Sequence, residues 1–457
     1  MRKVFVLLIA LLLIGAVVPQ ASAAPDNKTI GISVLLNTDI SDAILAEIET
    51  HGKVRDVIPQ IDALVMMAPA GELAAIRALP FVAAAGPEAE RKGSPVDTVA
   101  VADFANGINT WDLDAVNATD YGVGRTAQFD GNGVYVAVLD TGLHDSWRKY
   151  FPEERIAVEY AKSFSGGPNE SSNVSEQPNK WEHDQNGHGT HVTSTILGYQ
   201  LGAGAVNGVA PMVKIIPVKV LGQSGSGTSG MVARGITYVA DLKAGPLRDH
   251  PVVINMSLGG SVLDPVEQAA LDYAIGKGVI IVAAAGNEGM AGMGYPAAYA
   301  PVISVAATGW VGEWMTPGSW WRTSDVADPI NPDDFYVTDF SSRPYDKDLD
   351  VAAPGSWVVG PYQVNSGNTL SYYYLGGTSM ATPHVAGIVA LMLQKNPGMV
   401  QSQVESALEA AAIPLPGGCR SVTDPSVGPV QMCWETGDAG AGMITVDQAL
   451  NATVAAP

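Results

Sequence analysis

Gly376-Gly377-Thr378-Ser379-Met380-Ala381-Thr382-Pro383-His384-Val385-Ala386-Gly387 is the stretch from which the rest of the chain can be read. Two glycines lead into a Thr-Ser pair, and a long apolar segment follows. Thr378 is a candidate N-cap, which puts Ser379 in the first helical turn. Backbone N–H groups point out of that end and carry partial positive charge. A hydroxyl there lies beside donors able to hold a developing oxyanion. Past Pro383 the apolar residues Val385, Ile388, Val389, Leu391 and Met392 cover nearly every face. A helix apolar all round belongs in the middle of a domain, so the core itself presents the serine. Taken alone, Gly-Thr-Ser reads as a capped buried helix with no chemistry.

Three upstream stretches change that balance. Val136-Ala137-Val138-Leu139-Asp140-Thr141-Gly142 is an apolar run ending in a carboxylate and a turn. Asn186-Gly187-His188-Gly189-Thr190-His191-Val192 opens a second helix with a histidine, and Ala284-Ala285-Gly286-Asn287-Glu288-Gly289 follows a later strand. The chain order is Asp, His, Ser, the order known for the subtilisin triad. An α/β-hydrolase would place serine first, inside Gly-x-Ser-x-Gly, and Ser379 has no such setting. Together the four blocks resemble the signature blocks of the subtilisin-like serine proteases, and the similarity runs from about Trp111 to the C-terminus.

The resemblance implies peptide-bond hydrolysis through an acyl-enzyme. Ser379 would be the nucleophile, His188 the base, Asp140 the group orienting His188, and Asn287 an oxyanion donor. It implies that His191 and His384 are structural. A bound peptide would pair as a strand with Gly225-Ser226-Gly227 on one side and Ser257-Leu258-Gly259 on the other. Ala284, Ala285 and Gly286 would wall the pocket for the residue before the cut, with Gly294 at its base and Glu288 at its rim. Small side chains there leave room for a large apolar group. Ser229 falls where several relatives carry a tyrosine lid, so the pocket four residues upstream of the cut is expected to be open and specificity broad. No cofactor is implied for the chemistry. Structural calcium is a family feature, but residues 199–208 lack most of the oxygen ligands that relatives use, and its ligands here are not identifiable. Asp333 and Asp334 read as solvated charge.

The chain has 457 residues, enough for two or three domains, and a net charge of −21. That charge excludes nucleic-acid binding, since nothing would neutralise phosphates. Met1-Arg2-Lys3, an apolar run to Val18 and Ala21-Ser22-Ala23 predict a secretory signal peptide over residues 1–23. An uncleaved anchor is the alternative, and at about 15 residues the run is short for a membrane span. The predicted protein is therefore secreted, extracellular and monomeric, with no later membrane span. Cys419 and Cys433 predict one disulfide, closing a loop of about 15 residues and contributing roughly 3 kcal/mol. Two buried thiols are the alternative.

Residues 24–95 form a unit of their own. Its periodicity runs strand, helix, strand, strand, helix, strand between residues 29 and 85, a ferredoxin-like α+β pattern. It resembles the propeptide that secreted relatives carry as a folding aid and intramolecular inhibitor. A permanent accessory domain is the alternative. The polar stretch from Pro87 to Val101, which contains Arg91-Lys92-Gly93-Ser94, reads as the exposed junction. Residues 96–457 alternate strands and helices, which predicts an α/β domain, a mainly parallel sheet with helices on both faces. Residues 144–184 read as a polar surface loop, and Trp310, Trp314, Trp320 and Trp321 as a small satellite core. Asn169 and Asn173 head glycosylation sequons. Two other readings of the chain are a catalytically silent homologue that serves as a binding protein, and an esterase using the same triad.

Overall fold

The computed structural model describes residues 28–93, 97–100, 109–166, 174–201, 204–316, 318–362 and 371–456. The signal-peptide reading, Ser94 with the predicted junction at residue 95, and the sequon asparagines Asn169 and Asn173 lie outside these residues.

The N-terminal unit is built as its periodicity predicts. Strand Thr29–Leu36 leads to a helix, Asp42–Ile48, whose cap Ser41 accepts from Ile44 N. Strands Lys53–Ile58 and Ala63–Pro69 follow, then helix Leu73–Arg77 and strand Val82–Pro87. The antiparallel order places Thr29–Leu36 between Ala63–Pro69 and Val82–Pro87, with Lys53–Ile58 outermost. Ile32, Val34, Ile48, Leu64, Met66 and Ile76 make its core. Ile58 and Ala63 instead join the core of the larger domain, so the unit sits against that domain with an apolar face.

The larger domain is a sheet of eight strands. Strand Tyr135–Asp140 lies between Lys214–Lys219 and Val252–Met256, and all three are parallel. Lys162–Ser163 extends one edge, and Val279–Ala284 and Ile303–Trp310 extend the other. Phe335–Val337 pairs antiparallel and Val351–Pro354 parallel with Ile303–Trp310. These strands are near-continuous apolar runs because helices cover both faces. Chain direction across the sheet reverses at Tyr135–Asp140, so ligand sites are expected beyond the carboxyl ends of the strands there. Asp140 ends one such strand, and Ser257 and Asn287 follow the ends of two others.

Helix Thr378–Lys395 crosses the sheet through the middle of the core, and every residue from Thr378 to Leu393 is buried. Its cap is Gly377, one residue before the expected Thr378, so Ser379 is the second helical residue. Pro383 lies inside this helix and has no N–H for the carbonyl of Ser379. Ser257 Oγ donates to that carbonyl instead, at 2.8 Å.

Two expectations need correction. Residues 144–184 are more than a loop: Trp147, Tyr150, Phe151, Phe164 and Trp181 are buried in the main core, and Lys162–Ser163 is an edge strand. The tryptophans are no satellite either. Trp320 packs on Trp111 at 6.1 Å and Trp314 on Tyr374 at 4.7 Å; Trp320 and Trp321 belong to the main core, and Trp310 and Trp314 are half-buried against it. The expected disulfide is present: Cys419 and Cys433 are bonded across the hairpin of Gly418–Asp424 and Gly428–Trp434. Among the described residues no helix is long and apolar enough to cross a membrane.

Candidate active site

Asp140 and His188 meet first. Helix His188–Leu197 begins at the histidine, behind Gly187 in a left-handed conformation. Gly189 has to be a glycine, because a Cβ there would strike the carbonyl of Gly142 and lie 3.2 Å from Asp140. That close approach puts His188 Nδ1 at 2.8 and 2.9 Å from the two Asp140 oxygens. Both side chains are fully buried. The carboxylate can only accept, so Nδ1 carries a proton, and in the neutral ring Nε2 keeps the lone pair. Among the described residues Nε2 has no hydrogen-bond partner.

The turn before His188 is clamped from below. Asp184 accepts from Asn186 N, Gly187 N and Thr141 Oγ1, each at 2.9 Å. Thr141 Oγ1 in turn accepts from Gly189 N, and Lys219 Nζ donates to Thr141 O at 2.7 Å. Burial pushes Asp184 up to about 6, against the pull of Lys219 and these donors. Sequence reasoning missed Asp184 and Lys219, since a single aspartate in a polar stretch carries no signal.

Ser379 Oγ donates to the carbonyl of Ser257 at 3.2 Å. A Cβ at Gly93 would lie 2.8 Å from that same Ser257 oxygen and 3.1 Å from His188 Cε1. The serine and the imidazole therefore face one spot, at the mouth of the cleft. Asn287 stands on the other side. Its Oδ1 accepts from Thr378 N and Thr378 Oγ1, both at 2.9 Å. A backbone N–H needs an acceptor, so the amide orientation is fixed, and Nδ2 is the group left to donate. The N–H of Ser379 is one of the helix's first-turn donors, which have no intrahelical acceptor. Those two donors and the Ser379 hydroxyl share one end of one helix.

The cleft encloses about 670 Å³ and is lined by Leu258, Gly259, Ala284, Gly286, Asn287, Glu288, Gly294 and Ser379. Ala285 lies behind the wall, where its carbonyl accepts from Gly294 N at 2.9 Å. Glu288 is exposed at the rim and accepts from Ser342 Oγ. Two of the other predicted segments already hold a peptide, and it belongs to this chain. Strand Glu90–Lys92 pairs antiparallel with Ser226–Thr228. Lys92 and Gly259 exchange both backbone hydrogen bonds, at 3.0 and 2.9 Å, and Gly93 N donates to Gly225 O at 3.0 Å. The stretch read as an exposed junction is thus threaded through the cleft as its middle strand, and Arg91 is fully buried.

The other two histidines of the signature blocks point elsewhere. His191 Nε2 faces Val358 O, and burial holds its pKa down to about 3. His384 spans Met380 O and Asp112. Gly198–Leu201 and Gly204–Asn207 pair as two short antiparallel strands. Asp333 pairs at the surface with Arg420. The carboxylates of Asp348, Asp350 and Glu409 converge near the start of strand Val351–Pro354, whereas Asp140 stands at the carboxyl end of its strand.

A model of the subtilase family, peptidase S8, matches residues 131–443. The chain belongs to the subtilase family. This subtilase is 35% identical over 288 residues to thermitase from Thermoactinomyces vulgaris, covering 63% of this chain and 84% of thermitase. It is 36% identical over 282 residues to a thermostable alkaline protease from Halalkalibacterium halodurans, covering 62% of this chain and 63% of that protein. Among solved structures, fervidolysin from Fervidobacterium pennivorans, described as a keratinolytic enzyme related to subtilisin, superposes with a TM-score of 0.65. That likeness covers 93% of this chain and 61% of fervidolysin at 24% identity, and it speaks for the fold. Sphericase superposes with a TM-score of 0.53 at 29% identity over 75% of this chain and 99% of its own. Asp140, His188, Asn287 and Ser379 all lie inside the matched region of this subtilase, and the N-terminal unit lies outside it.

Proposed function

We propose that this subtilase is a secreted serine endopeptidase made as a self-inhibited precursor. Residues 24–95 are its inhibitory unit and residues 96–457 its catalytic domain. The observation that carries the reading is the strand Glu90–Lys92, lying in the cleft beside the Asp140–His188 pair as a peptide substrate would lie. In the mature enzyme a substrate strand takes its place. Ser379 Oγ turns from the Ser257 carbonyl to His188 Nε2, gives up its proton there and attacks the peptide carbonyl. Asp140 holds the imidazole in the receptive tautomer and stabilises the imidazolium. The oxyanion receives Asn287 Nδ2 and the Ser379 N–H, and His188 passes its proton to the leaving amine. Water then deacylates the serine by the same path. Ala284, Gly286 and Gly294 offer at most a methyl group to the residue before the cut, which favours large apolar side chains. Glu288 at the rim disfavours acidic ones.

A fluorophosphonate probe is expected to label the mature protein at Ser379 and to leave Ser379→Ala unlabelled, and the labelled protein is expected to have digested casein beforehand. A folded but unlabelled wild type would make the chain a silent homologue. Hydrolysis of simple esters without casein cleavage would make it an esterase.

A further inference from the structure

Arg91 has no solvent contact, although it belongs to an extended segment at the surface of a cleft. Each of its guanidinium nitrogens is bonded. Nε donates to Glu267 Oε1 at 2.9 Å, and a second nitrogen pairs with Glu267 Oε2. That same nitrogen reaches Val262 O at 3.0 Å, and the third donates to Glu90 O at 2.8 Å. Glu267 sits in the first turn of helix Pro265–Gly276 and is itself fully buried. Arg91 is its ion-pair partner among the described residues.

The pocket is built into the catalytic domain. Asp264 caps the helix, accepting from Val266 N and Glu267 N through one oxygen and from Ser229 Oγ through the other. It is thereby committed, and Glu267 is the carboxylate left to face the cleft. Ser229, read from the sequence as the mark of an open pocket, spends its hydroxyl on Asp264 and on Ala89 N. Gly260 completes the space, because a side chain there would strike the Glu90 carbonyl and the guanidinium. When residues 90–93 leave, a buried carboxylate remains without a cation, and a buried ion without a partner is costly. A planar guanidinium restores both carboxylate contacts and the one to Val262 O, which an ammonium cannot do.

We propose that Glu267 makes this pocket an arginine-selective subsite for substrates. A peptide bound in the register of Glu90–Gly93, with its Gly93 equivalent beside His188, presents the next carbonyl to Ser379. Arginine is then selected at the fourth residue upstream of the cut, so specificity is narrower there than at the residue before the cut. The proposal rests on the protease reading above.

The test uses mature enzyme and acetyl-Xaa-Ala-Gly-Phe coumarin amides with Xaa as Arg, Lys, Ala or Glu, beside casein. The Arg peptide should exceed the Ala peptide in kcat/KM by about 30-fold, and by no less than about tenfold, as expected for hydrogen bonds to a buried charge. Lys should fall between them and Glu below Ala. In Glu267→Gln the Arg-to-Ala ratio should fall to about one. That variant is also made as the Arg91→Met/Glu267→Gln precursor, which buries no unpaired guanidinium during folding and matures to the same enzyme. Casein hydrolysis with Arg and Ala peptides within about threefold of each other would overturn the subsite and leave the protease reading intact. A ratio that survives in Glu267→Gln would overturn the role of Glu267. Failure to cleave casein or any peptide would overturn both readings.

Discussion

The chemistry proposed for Ser379 would depend on donors that other residues hold in place. Asn287 presents Nδ2 because Thr378 occupies its Oδ1. Asn287→Ala should therefore lower kcat by about 100- to 1,000-fold with little change in KM, since the lost donor acts on charge that exists only in the transition state. Steady-state kinetics on a peptide amide will show whether the loss falls on kcat. Ser257 has a different task. Its hydroxyl supplies the Ser379 carbonyl with the donor that Pro383 cannot give. Ser257→Ala leaves a buried acceptor unpaired, and should cost about 1 to 3 kcal/mol of stability, read as a fall in the denaturation midpoint. Asp140, His188, Asn287 and Ser379 were legible in the sequence because each lies in a short block whose glycines and apolar runs set the local backbone. Ser257 was named there only as a strand partner of substrate. Its bond to Ser379 spans 122 residues and leaves no local pattern. The bonds of Asp184 to Thr141 are equally silent in sequence.

At the scale of elements, the strand Glu90–Lys92 decides how the molecule behaves. Charged and polar residues on either side of Arg91 suggested solvent, and composition could not show that a carboxylate 176 residues away waits inside a pocket for the guanidinium. The ferredoxin-like unit was readable because its strands and helices alternate over short distances. Its docking was not, because it depends on single contacts: Arg234 with Asp56 at 3.0 Å, Gln60 with Asp241 at 2.8 Å, and Glu88 Oε1 with Gly230 N at 3.2 Å. Burial, with Asp264 and Asp56 nearby, pushes Glu88 up to about 7 from an ordinary 4.5. The docked unit therefore keeps a proton that the undocked unit releases. Glu88 supports docking fully below about pH 4.5, and that support is lost as pH rises through about 7. In the Ser379→Ala precursor, cleavage of the N-terminal unit by added trypsin should accelerate as pH rises from about 4.5 to about 7, once trypsin's own pH dependence is subtracted, and level off above that. Glu88→Gln should flatten that step. An identical step in Glu88→Gln would assign the titration to another group.

For the whole molecule, alternating strands and helices were enough to predict a mainly parallel sheet, and the long apolar run after Pro383 was enough to place one helix at its centre. What composition hid was the burial of residues 144–184, where five aromatics in a polar stretch enter the core. The disulfide was legible from two cysteines 14 residues apart. Replacing both with alanine should lower stability by about 3 kcal/mol, the chain-entropy figure for a loop of that length, visible as a lower Tm. The central claim is that one chain is both inhibitor and protease, with Ser379 releasing its own N-terminal unit. Its most direct test is intact mass over time for the wild-type precursor and Ser379→Ala, expressed in parallel and assayed on casein. The wild type should lose residues up to about 95 and digest casein, while Ser379→Ala stays at precursor mass and inert. A wild type that digests casein at full precursor mass would contradict the account and make the N-terminal unit a permanent domain.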